Sequence, residues 1–173
     1  MSQLTENLTV TSQQAKPAIK AAMLAGRPSF LWGPPGVGKS ELVEEIATEM
    51  GNCLVIDLRM AQMQPTDIRG IPFFNKDLGV MDWAPPIELP SEELAAQYDK
   101  IILFLDEMNS APPAVQAAGY QLVLNGRVGK YILPKNVHIV AAGNRDSDKG
   151  VTYRMPMPLA NRFIHLEMRP DFT

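Results

Sequence analysis

Cysteine is almost absent from this chain of 173 residues, and its scarcity excludes several kinds of protein. The single cysteine, Cys53, has no partner for an internal disulfide, so a disulfide-stabilised scaffold is excluded. Cys53 begins an apolar run, where a buried structural thiol is the expected role. The two histidines, His138 and His165, each stand in a predicted strand with no cysteine or second histidine nearby. A metal site built from these residue types is therefore not expected.

Long hydrophobic runs and an excess of positive charge are missing too. No apolar run reaches 18 residues and no signal peptide is recognised, so we expect a cytoplasmic protein without a membrane span. Sixteen basic and nineteen acidic residues give a net charge of -3, which offers no broad basic face for nucleic acid. Hydrophobic residues make up 46% of the chain and charged residues 20%, as in a globular domain with a core. The length suits one α/β domain.

One motif matches the phosphate-binding P-loop pattern at every fixed position. It reads Gly-x-x-x-x-Gly-Lys-Ser, and its residues are Gly33, Pro34, Pro35, Gly36, Val37, Gly38, Lys39 and Ser40. Residues 29–32 before it form a short apolar run typical of a buried strand. After it, apolar residues recur at helical spacing between glutamates, as they do in an amphipathic helix. The motif therefore has the strand and the helix that a P-loop requires on either side.

The chemistry of a P-loop follows from the positions of its glycines and its lysine. Gly36 and Gly38 allow backbone N–H groups to surround an anion, and the following helix presents its positive end to the phosphates. Lys39 is predicted to reach the β- and γ-phosphates, and the Ser40 hydroxyl to ligate Mg²⁺. An ordinary glycine-rich turn is the alternative, but the flanking strand and helix favour the binding site. We predict that the chain binds a nucleoside triphosphate with Mg²⁺.

The rest of the chain alternates predicted strands and helices, which favours a parallel sheet with helices on both faces. Strands are predicted at residues 29–32, 53–58, 101–105, 137–142 and 163–168, the last alternating as an edge strand does. Further helices are predicted at residues 17–25, after Ser91, and after a cap at Ser110 with Pro112 and Pro113 in its first turn.

Two hairpins and a division of the chain complete the predicted organisation. Residues 71–86 carry prolines and aromatics around a turn and are interpreted as a hairpin-like insertion, while residues 127–134 form a smaller hairpin. The aromatics of the larger hairpin could contact a partner or fold back over the core. Residues up to about Gln13 are polar and are expected to be mobile. We divide the chain into an N-terminal segment, residues 1–27, and a core, residues 28–173.

Asp106 and Glu107 come directly after the most apolar run of the chain. Ligands lie at the carboxyl ends of strands in α/β sheets, so Asp106 is predicted to hold Mg²⁺ and Glu107 to act as general base on the attacking water. Capping of the next helix is the alternative role of such a pair. Asn144 follows the fourth predicted strand, and its amide is predicted to orient the lytic water and contact the γ-phosphate. An ordinary polar turn residue is the alternative there.

Together these motifs resemble those of AAA+ ATPases, and more narrowly those of the MoxR-like group. The resemblance covers residues 28–168, and its most specific part is the run Asp-Glu-Met-Asn-Ser-Ala-Pro that begins at Asp106. It implies a P-loop NTPase three-layer sandwich with a parallel sheet ordered 5-1-4-3-2 and hairpin insertions. It also implies ATP as the nucleotide, a ring that is usually hexameric, and ATP-driven remodelling of protein partners, which are frequently von Willebrand factor A domain proteins.

The family also uses an arginine finger that reaches the γ-phosphate in the neighbouring subunit. Arg162, directly before the last predicted strand, matches that position of the motif. Arg154 and Arg145 are competitors for the role, and an ion pair that braces the strand is the alternative for Arg162. The resemblance thus implies that hydrolysis is completed in trans.

One departure from the family pattern and three rival functions have to be weighed against this interpretation. The sequence stops at Thr173, so we expect the small helical lid of the family and its second sensor arginine to be missing. That expectation favours a rival function, a nucleotide-gated binding module with little hydrolysis, whereas Glu107 and Asn144 speak against it. A nucleic-acid motor or helicase loader of the same fold is the second rival, and it would need a basic track. A small-molecule kinase fits the Asp-Glu pair poorly.

Overall fold

Short strands alternate with helices in the computed structural model, which describes residues 8–34, 36–86, 88–144 and 155–169. The strands are β1 (Leu8–Val10), β2 (Ser29–Trp32), β3 (Cys53–Arg59), β4 (Ile71–Asn75), β5 (Val80–Ala84), β6 (Lys100–Asp106), β7 (Arg127–Val128), β8 (Tyr131–Ile132), β9 (Val137–Gly143) and β10 (Ile164–Met168). The helices are α1 (Ser12–Leu24), α2 (Lys39–Met50), α3 (Pro65–Arg69), α4 (Glu92–Ala95), α5 (Pro113–Asn125) and α6 (Met157–Ala160). Short 3₁₀ turns lie at Met60–Gln62 and Met108–Ser110.

The central sheet has six parallel strands in the order β1-β10-β2-β9-β6-β3. The five predicted strands are β2, β3, β6, β9 and β10, so their arrangement confirms the order 5-1-4-3-2. The expectation that β10 forms the edge is wrong, because β1 pairs outside it from Leu8 opposite Leu166 to Val10 opposite Met168. Apolar and polar residues alternate in β10 because one face of the strand is more buried than the other. Such a pattern does not show whether another strand pairs beside it.

The N-terminal region is more ordered than its composition predicted. Residues 8–10 form β1, and α1 begins at Ser12, several residues before the predicted start at Pro17. Thr11 is the N-cap of α1, and its side chain and that of Gln14 form a reciprocal capping box. Local capping and pairing with β10 therefore order residues that lack hydrophobic periodicity. Residues 1–7 lie outside the described part of the chain.

Helices pack on both faces of the sheet, which confirms the three-layer architecture. On one face α1 and α2 bury side chains such as Ile19, Val43 and Ile46 against the sheet, and on the other α5 buries Val115 and Leu122. The central strand β6 is apolar along its length because it is covered on both faces. The prediction that Ser110 caps α5 is wrong: a 3₁₀ turn contains Ser110, and α5 starts at Pro113, where a missing N–H costs nothing.

Both predicted hairpins are present. β4 and β5 pair antiparallel from Ile71 opposite Ala84 to Asn75 opposite Val80, and β7 pairs with β8. The large apolar side chains of the first hairpin, including Phe74 and Met81, are exposed, so it stands out from the core rather than folding back over it. An ion pair between Lys130 and Asp82 joins the two hairpins. Within the described ranges, no helix combines the length and the apolar character that a membrane span requires.

An ion-pair network on the surface ties α1 to α2. Lys16 Nζ lies 2.8 Å from a Glu45 oxygen and 2.9 Å from a Glu49 oxygen, and Lys20 Nζ lies 2.5 Å from the other Glu49 oxygen. Hydrogen bonds from Lys20 and Lys16 lower the pKa of Glu49 to about 2. Because Glu49 holds its charge more strongly in the folded state than in the unfolded chain, the network stabilises the fold above the ordinary pKa of glutamate.

We expect Glu49→Gln to lower the urea midpoint of unfolding modestly at pH 7. The difference from the unmodified chain should shrink as the pH falls from about 4.3 towards the folded-state pKa of about 2, since the carboxylate is then neutralised in both states. Salt should shrink it as well. Urea unfolding at pH 7 and pH 3 measures this, with Glu93→Gln, an exposed glutamate on another helix, as the control. A loss that is independent of both pH and salt would contradict the electrostatic explanation.

Candidate nucleotide-binding site

The P-loop connects β2 to α2 in a conformation that suits an anion. Gly36 and Gly38 have φ angles of 81° and 92°, in the left-handed region that disfavours other residues. Gly38 is the N-cap of α2, and no side chain caps that helix end. The N–H groups of its first turn therefore remain available to a ligand, at the positive end of a helix of 12 residues. Pro35 lies outside the described residues.

Lys39 brings the P-loop and the residue after β9 together. Its Nζ donates to the Gly33 carbonyl at 2.6 Å and to Asn144 Oδ1 at 3.0 Å, with a longer contact of 3.4 Å to the Gly143 carbonyl. An Asn144 amide whose oxygen accepts from Lys39 still has the Nδ2 hydrogens to donate to a phosphate or a water. The structure thus places two of the predicted site residues in direct contact.

The strand order explains why the predicted site residues meet. β2, β9 and β6 are adjacent and parallel, so the P-loop, Asn144 and Asp106 all lie at the carboxyl ends of these strands, on the same side of the sheet. The register places Trp32 opposite Gly143 and Leu105 opposite Ala141, so the strands end within about one residue pair of each other. The expected convergence of three strand ends is therefore observed. It creates the crevice in which α/β proteins bind ligands.

Glu107 adopts an unusual backbone conformation at the end of β6. Its φ of 54° and ψ of 37° are left-handed, and it is the only described residue other than glycine with a positive φ. Such a conformation costs roughly 1–2 kcal/mol for a residue with a Cβ, and residues held in this way cluster at functional sites. The Glu107 N–H donates to Asp106 Oδ1 at 2.8 Å, so the two residues form one tight turn directly at the strand end.

The oxygen donors around the P-loop fit Mg²⁺ held jointly with phosphates. Among the residues the structure describes, no group of three or more His, Cys, Asp and Glu could hold a metal ion. Mg²⁺ does not require such a cage, because it usually keeps several waters and takes one or two protein ligands together with substrate phosphates. Ser40, in the first turn of α2, and Asp106 are the candidate ligands of that kind.

A further carboxylate adds negative charge beside Asp106. Burial and then the Asp106 carboxylate raise the pKa of Asp57, while Arg59 acts in the opposite direction. Asp57 lies on β3, which neighbours β6, opposite Phe104. The carboxylates of these strand ends thus repel one another, and a divalent cation would relieve that repulsion.

Asn109 is a site-forming residue that no pattern in the sequence predicted to act there. Its side chain is only 3% exposed and bonds both backbone groups of Asn144: Nδ2 donates to the carbonyl at 2.5 Å, and Oδ1 accepts from the N–H at 3.2 Å. Its place in the run Asp-Glu-Met-Asn-Ser-Ala-Pro, two residues after Glu107, is the signal that could have marked it. The contact itself joins two strand ends.

The candidate arginine finger lies away from the P-loop of its own subunit. Arg162 precedes β10, whose parallel pairing with β2 begins at Ile164 opposite Ser29. It therefore lies at the amino ends of the strands, whereas the P-loop lies at their carboxyl ends. It is exposed, and its Nη2 donates to the Leu124 carbonyl at the C-terminal end of α5 at 2.7 Å. The ion pair considered as an alternative is not found among the described residues. Arg145 and Arg154 lie outside the described residues.

The chain is similar to several proteins that share this fold. A curated relative, the large subunit of replication factor C from Aeropyrum pernix, is 28% identical over 99 residues, which are 57% of this chain and 18% of that protein. A crystal structure described as an ATPase from Cytophaga hutchinsonii has a TM-score of 0.64 at 20% identity, covering 96% of this chain and 48% of that chain. A lysine-to-arginine mutant of RuvB from Thermotoga maritima has a TM-score of 0.52 at 20% identity, covering 90% and 43%.

The two solved structures establish the fold. This chain spans less than half the length of each of the three proteins. The family is established by a different match. A family model described as an AAA domain of the dynein-related subfamily matches residues 28–163, which is most of the chain. The chain therefore belongs to the dynein-related subfamily of AAA domains, and so to the AAA+ ATPases.

Proposed function

We propose that residues 28–173 form the ATPase core of a MoxR-like AAA+ ring that binds and hydrolyses ATP with Mg²⁺ and remodels protein partners. The observation that carries the proposal is the contact of Lys39 with both the Gly33 carbonyl and Asn144 Oδ1. This contact joins the phosphate-binding loop to a polar residue at the neighbouring strand end. Such an arrangement suits a site that distinguishes ATP from ADP at the γ-phosphate.

Each residue of the site has a chemical role in this proposal. Bound ATP and Mg²⁺ supply the phosphoryl centre and the charge that neutralises it. Lys39 donates to the β- and γ-phosphates, and the N–H groups of the loop and of α2 hold the remaining oxygens. Ser40 and Asp106 would hold Mg²⁺, which would neutralise charge on the phosphates. Glu107 accepts a proton from the attacking water, and the Asn144 amide orients that water against the γ-phosphate.

Arg162 acts in trans in this proposal. Arg162 lies at the amino ends of the strands, away from its own P-loop, and is exposed. Both features suit contact with a site on a neighbouring subunit. One bond to Leu124 engages a single N–H, so other donors of the guanidinium remain for a γ-phosphate. Action in trans requires an assembly of subunits, and a closed, usually hexameric, ring would satisfy that requirement. A protein with a von Willebrand factor A domain is the proposed partner.

A role on nucleic acid is the second candidate function, because a replication factor is among the relatives of the chain. The net charge of -3 weighs against it, since nucleic-acid binding depends mainly on basic residues. A salt-sensitive DNA-binding assay separates the two functions. Binding that weakens steeply with salt would favour the nucleic-acid motor over the protein remodeller.

The proposed function is tested by measuring the ATP turnover rate per subunit as the protein concentration rises. We expect the rate to climb and then saturate, because each site is completed by a neighbour. The Lys39→Ala variant gives the background turnover rate, because it lacks the ammonium group proposed to bind the phosphates. ATP binding without turnover at any concentration would instead favour a nucleotide-gated binding module. A constant rate in protein that stays monomeric by size measurement would contradict action in trans.

A further inference from the structure

Asn144 is held by its backbone as well as by its side chain. Asn109 Nδ2 donates to the Asn144 carbonyl at 2.5 Å, and Asn109 Oδ1 accepts from the Asn144 N–H at 3.2 Å. A single buried amide thereby satisfies both polar backbone groups of one residue just beyond the end of β9. Because two bonds converge on one peptide segment, they restrict its position more than either bond alone.

Gly143 provides the space that this contact needs. A Cβ at residue 143 would lie 2.3 Å from Asn109 Oδ1, 2.9 Å from Asn109 Cγ and 3.1 Å from Phe30 Cε1. The two distances to Asn109 are shorter than real Cβ contacts allow, and the distance to Phe30 is tighter than most, so a side chain at residue 143 would force the Asn109 amide to shift. The absence of a side chain at residue 143 is therefore a steric condition for the approach of Asn109 to Asn144.

Asn109 is in turn held from helix α5. Gln116, which is 4% exposed, donates from Nε2 to the carbonyls of Asn109 and Ala111, both at 3.1 Å, and its Oε1 accepts from the Tyr120 hydroxyl at 2.7 Å. The hydrogen bonds thus run from α5 through Gln116 and Asn109 to Asn144. Buried polar groups joined in this way fix each other's orientation, because breaking one bond leaves the next group unpaired.

We infer that Asn109 is a positioning residue for ATP hydrolysis. It acts through Asn144: it holds the Asn144 backbone, so that the Asn144 side chain stays in contact with Lys39 at 3.0 Å, and Gln116 holds Asn109 in place. The inference rests on the proposed function. It predicts that loss of Asn109 slows the chemical step and leaves ATP binding almost unchanged, since the P-loop contacts of Lys39 with Gly33 are untouched. A misplacement of about 1 Å at such a site can cost about a hundredfold in rate.

The test is a double-mutant cycle on kcat and KM for ATP, with Asn109→Ala, Asn144→Ala and the double variant in the full chain. We expect Asn109→Ala to lower kcat about 10- to 100-fold and to change KM by less than about threefold. In the Asn144→Ala background, the same substitution should lower kcat by less than about threefold, because the residue through which Asn109 acts is already gone. Asn109→Asp, which is isosteric, is made in parallel in case the alanine variant does not fold.

Two glycine-to-alanine variants test the same contact without changing Asn109, one as the test and the other as its matched control. Gly143→Ala should reproduce the kcat loss of Asn109→Ala although Asn109 is intact, because the added methyl displaces the amide. Gly119→Ala adds the same methyl on α5, where it meets only the flexible ends of Met60 and Met108, and should keep kcat near that of the unmodified chain.

The outcomes separate the inference from the function on which it rests. Equal kcat losses for Asn109→Ala in both backgrounds would show a general structural effect and overturn the inference. Full turnover in Asn109→Ala or in Gly143→Ala would overturn it as well. No ATP turnover in the unmodified chain at any concentration would overturn the proposed hydrolysis itself, and the inference with it. A strong loss in the unmodified background that disappears in the Asn144→Ala background supports both.

Discussion

Mixing two inactive variants, Glu107→Gln and Arg162→Ala, is expected to restore ATP turnover. Alone, Glu107→Gln should lose about 10²–10⁴ in rate, the contribution of a positioned general base. Arg162→Ala should lose about 10³–10⁵, the contribution of an arginine finger. In a mixed ring, an Arg162→Ala subunit keeps Glu107 and can receive Arg162 from a Glu107→Gln neighbour. When the two variants are mixed at random in equal amounts, about a quarter of all subunit interfaces combine an intact Glu107 with an intact Arg162. Turnover should therefore recover to the order of a quarter of the unmodified rate.

The control for this experiment is another arginine near the amino ends of the strands, close to Arg162. Arg27 is exposed, and its Nη2 lies 3.5 Å from the carbonyl of Asn161, the residue before Arg162. Arg27→Ala should keep turnover near that of the unmodified chain, which shows that loss of positive charge at these strand ends is not sufficient. Full turnover of Arg162→Ala alone would contradict its proposed role. No recovery on mixing, with ATP binding and assembly of both variants intact, would contradict action in trans.

Phe30→Ala is expected to have the largest effect on stability, about 3–5 kcal/mol in the free energy of unfolding. Phe30 is 0% exposed and lies at the centre of a ring cluster between β2 and the β10 segment. Its ring centroid is 4.1 Å from that of Trp32 in a stacked arrangement, and 5.2 Å from that of Phe163 in an edge-to-face arrangement. Its removal leaves a cavity where the strand before the P-loop meets the strand after Arg162. Since folded domains are stable by about 5–15 kcal/mol, this is a large fraction of the total.

Urea unfolding at pH 7 measures that loss, and the exposed hairpin offers a matched control. Phe73 is 44% exposed on β4, so Phe73→Ala removes the same ring without opening a cavity and should cost less than about 1 kcal/mol. Similar losses for the two variants would contradict the central role of the ring cluster. A collapse of the structure around the alanine would show as a loss near the lower end of the range.

Local patterns in the sequence predicted the elements because each pattern reflects the geometry of a few consecutive residues. The P-loop glycines were identifiable since a left-handed turn before a helix requires them, and Gly36 and Gly38 have the expected φ angles. Hydrophobic periods located the five strands and α5, and turn residues located both hairpins. The order of the strands came from the resemblance to AAA+ proteins and not from periodicity, which carries no information about neighbours.

Other predictions failed because tertiary contacts outweighed local preference. Residues 8–10 become a strand since β10 offers them a partner, although their own composition suggested a mobile end. Ser110 is a good helix cap by type, yet the chain passes through a 3₁₀ turn there and α5 starts at Pro113. The left-handed Glu107 has no signal in its residue type, because strain of this kind is stored only where the surrounding structure supports it.

The sequence by itself determined which motifs this protein carries: a loop that matches the P-loop pattern with its lysine, an Asp-Glu pair after the most apolar strand, and helices and strands of the right kind around them. Only the tertiary structure decided how those groups meet. Lys39 and Asn144 are 105 residues apart in the chain, and Asn109 and Asn144 are 35 apart, yet each pair is hydrogen-bonded. Contacts across such separations depend on the order and register of parallel strands, and residue spacing along one segment contains neither.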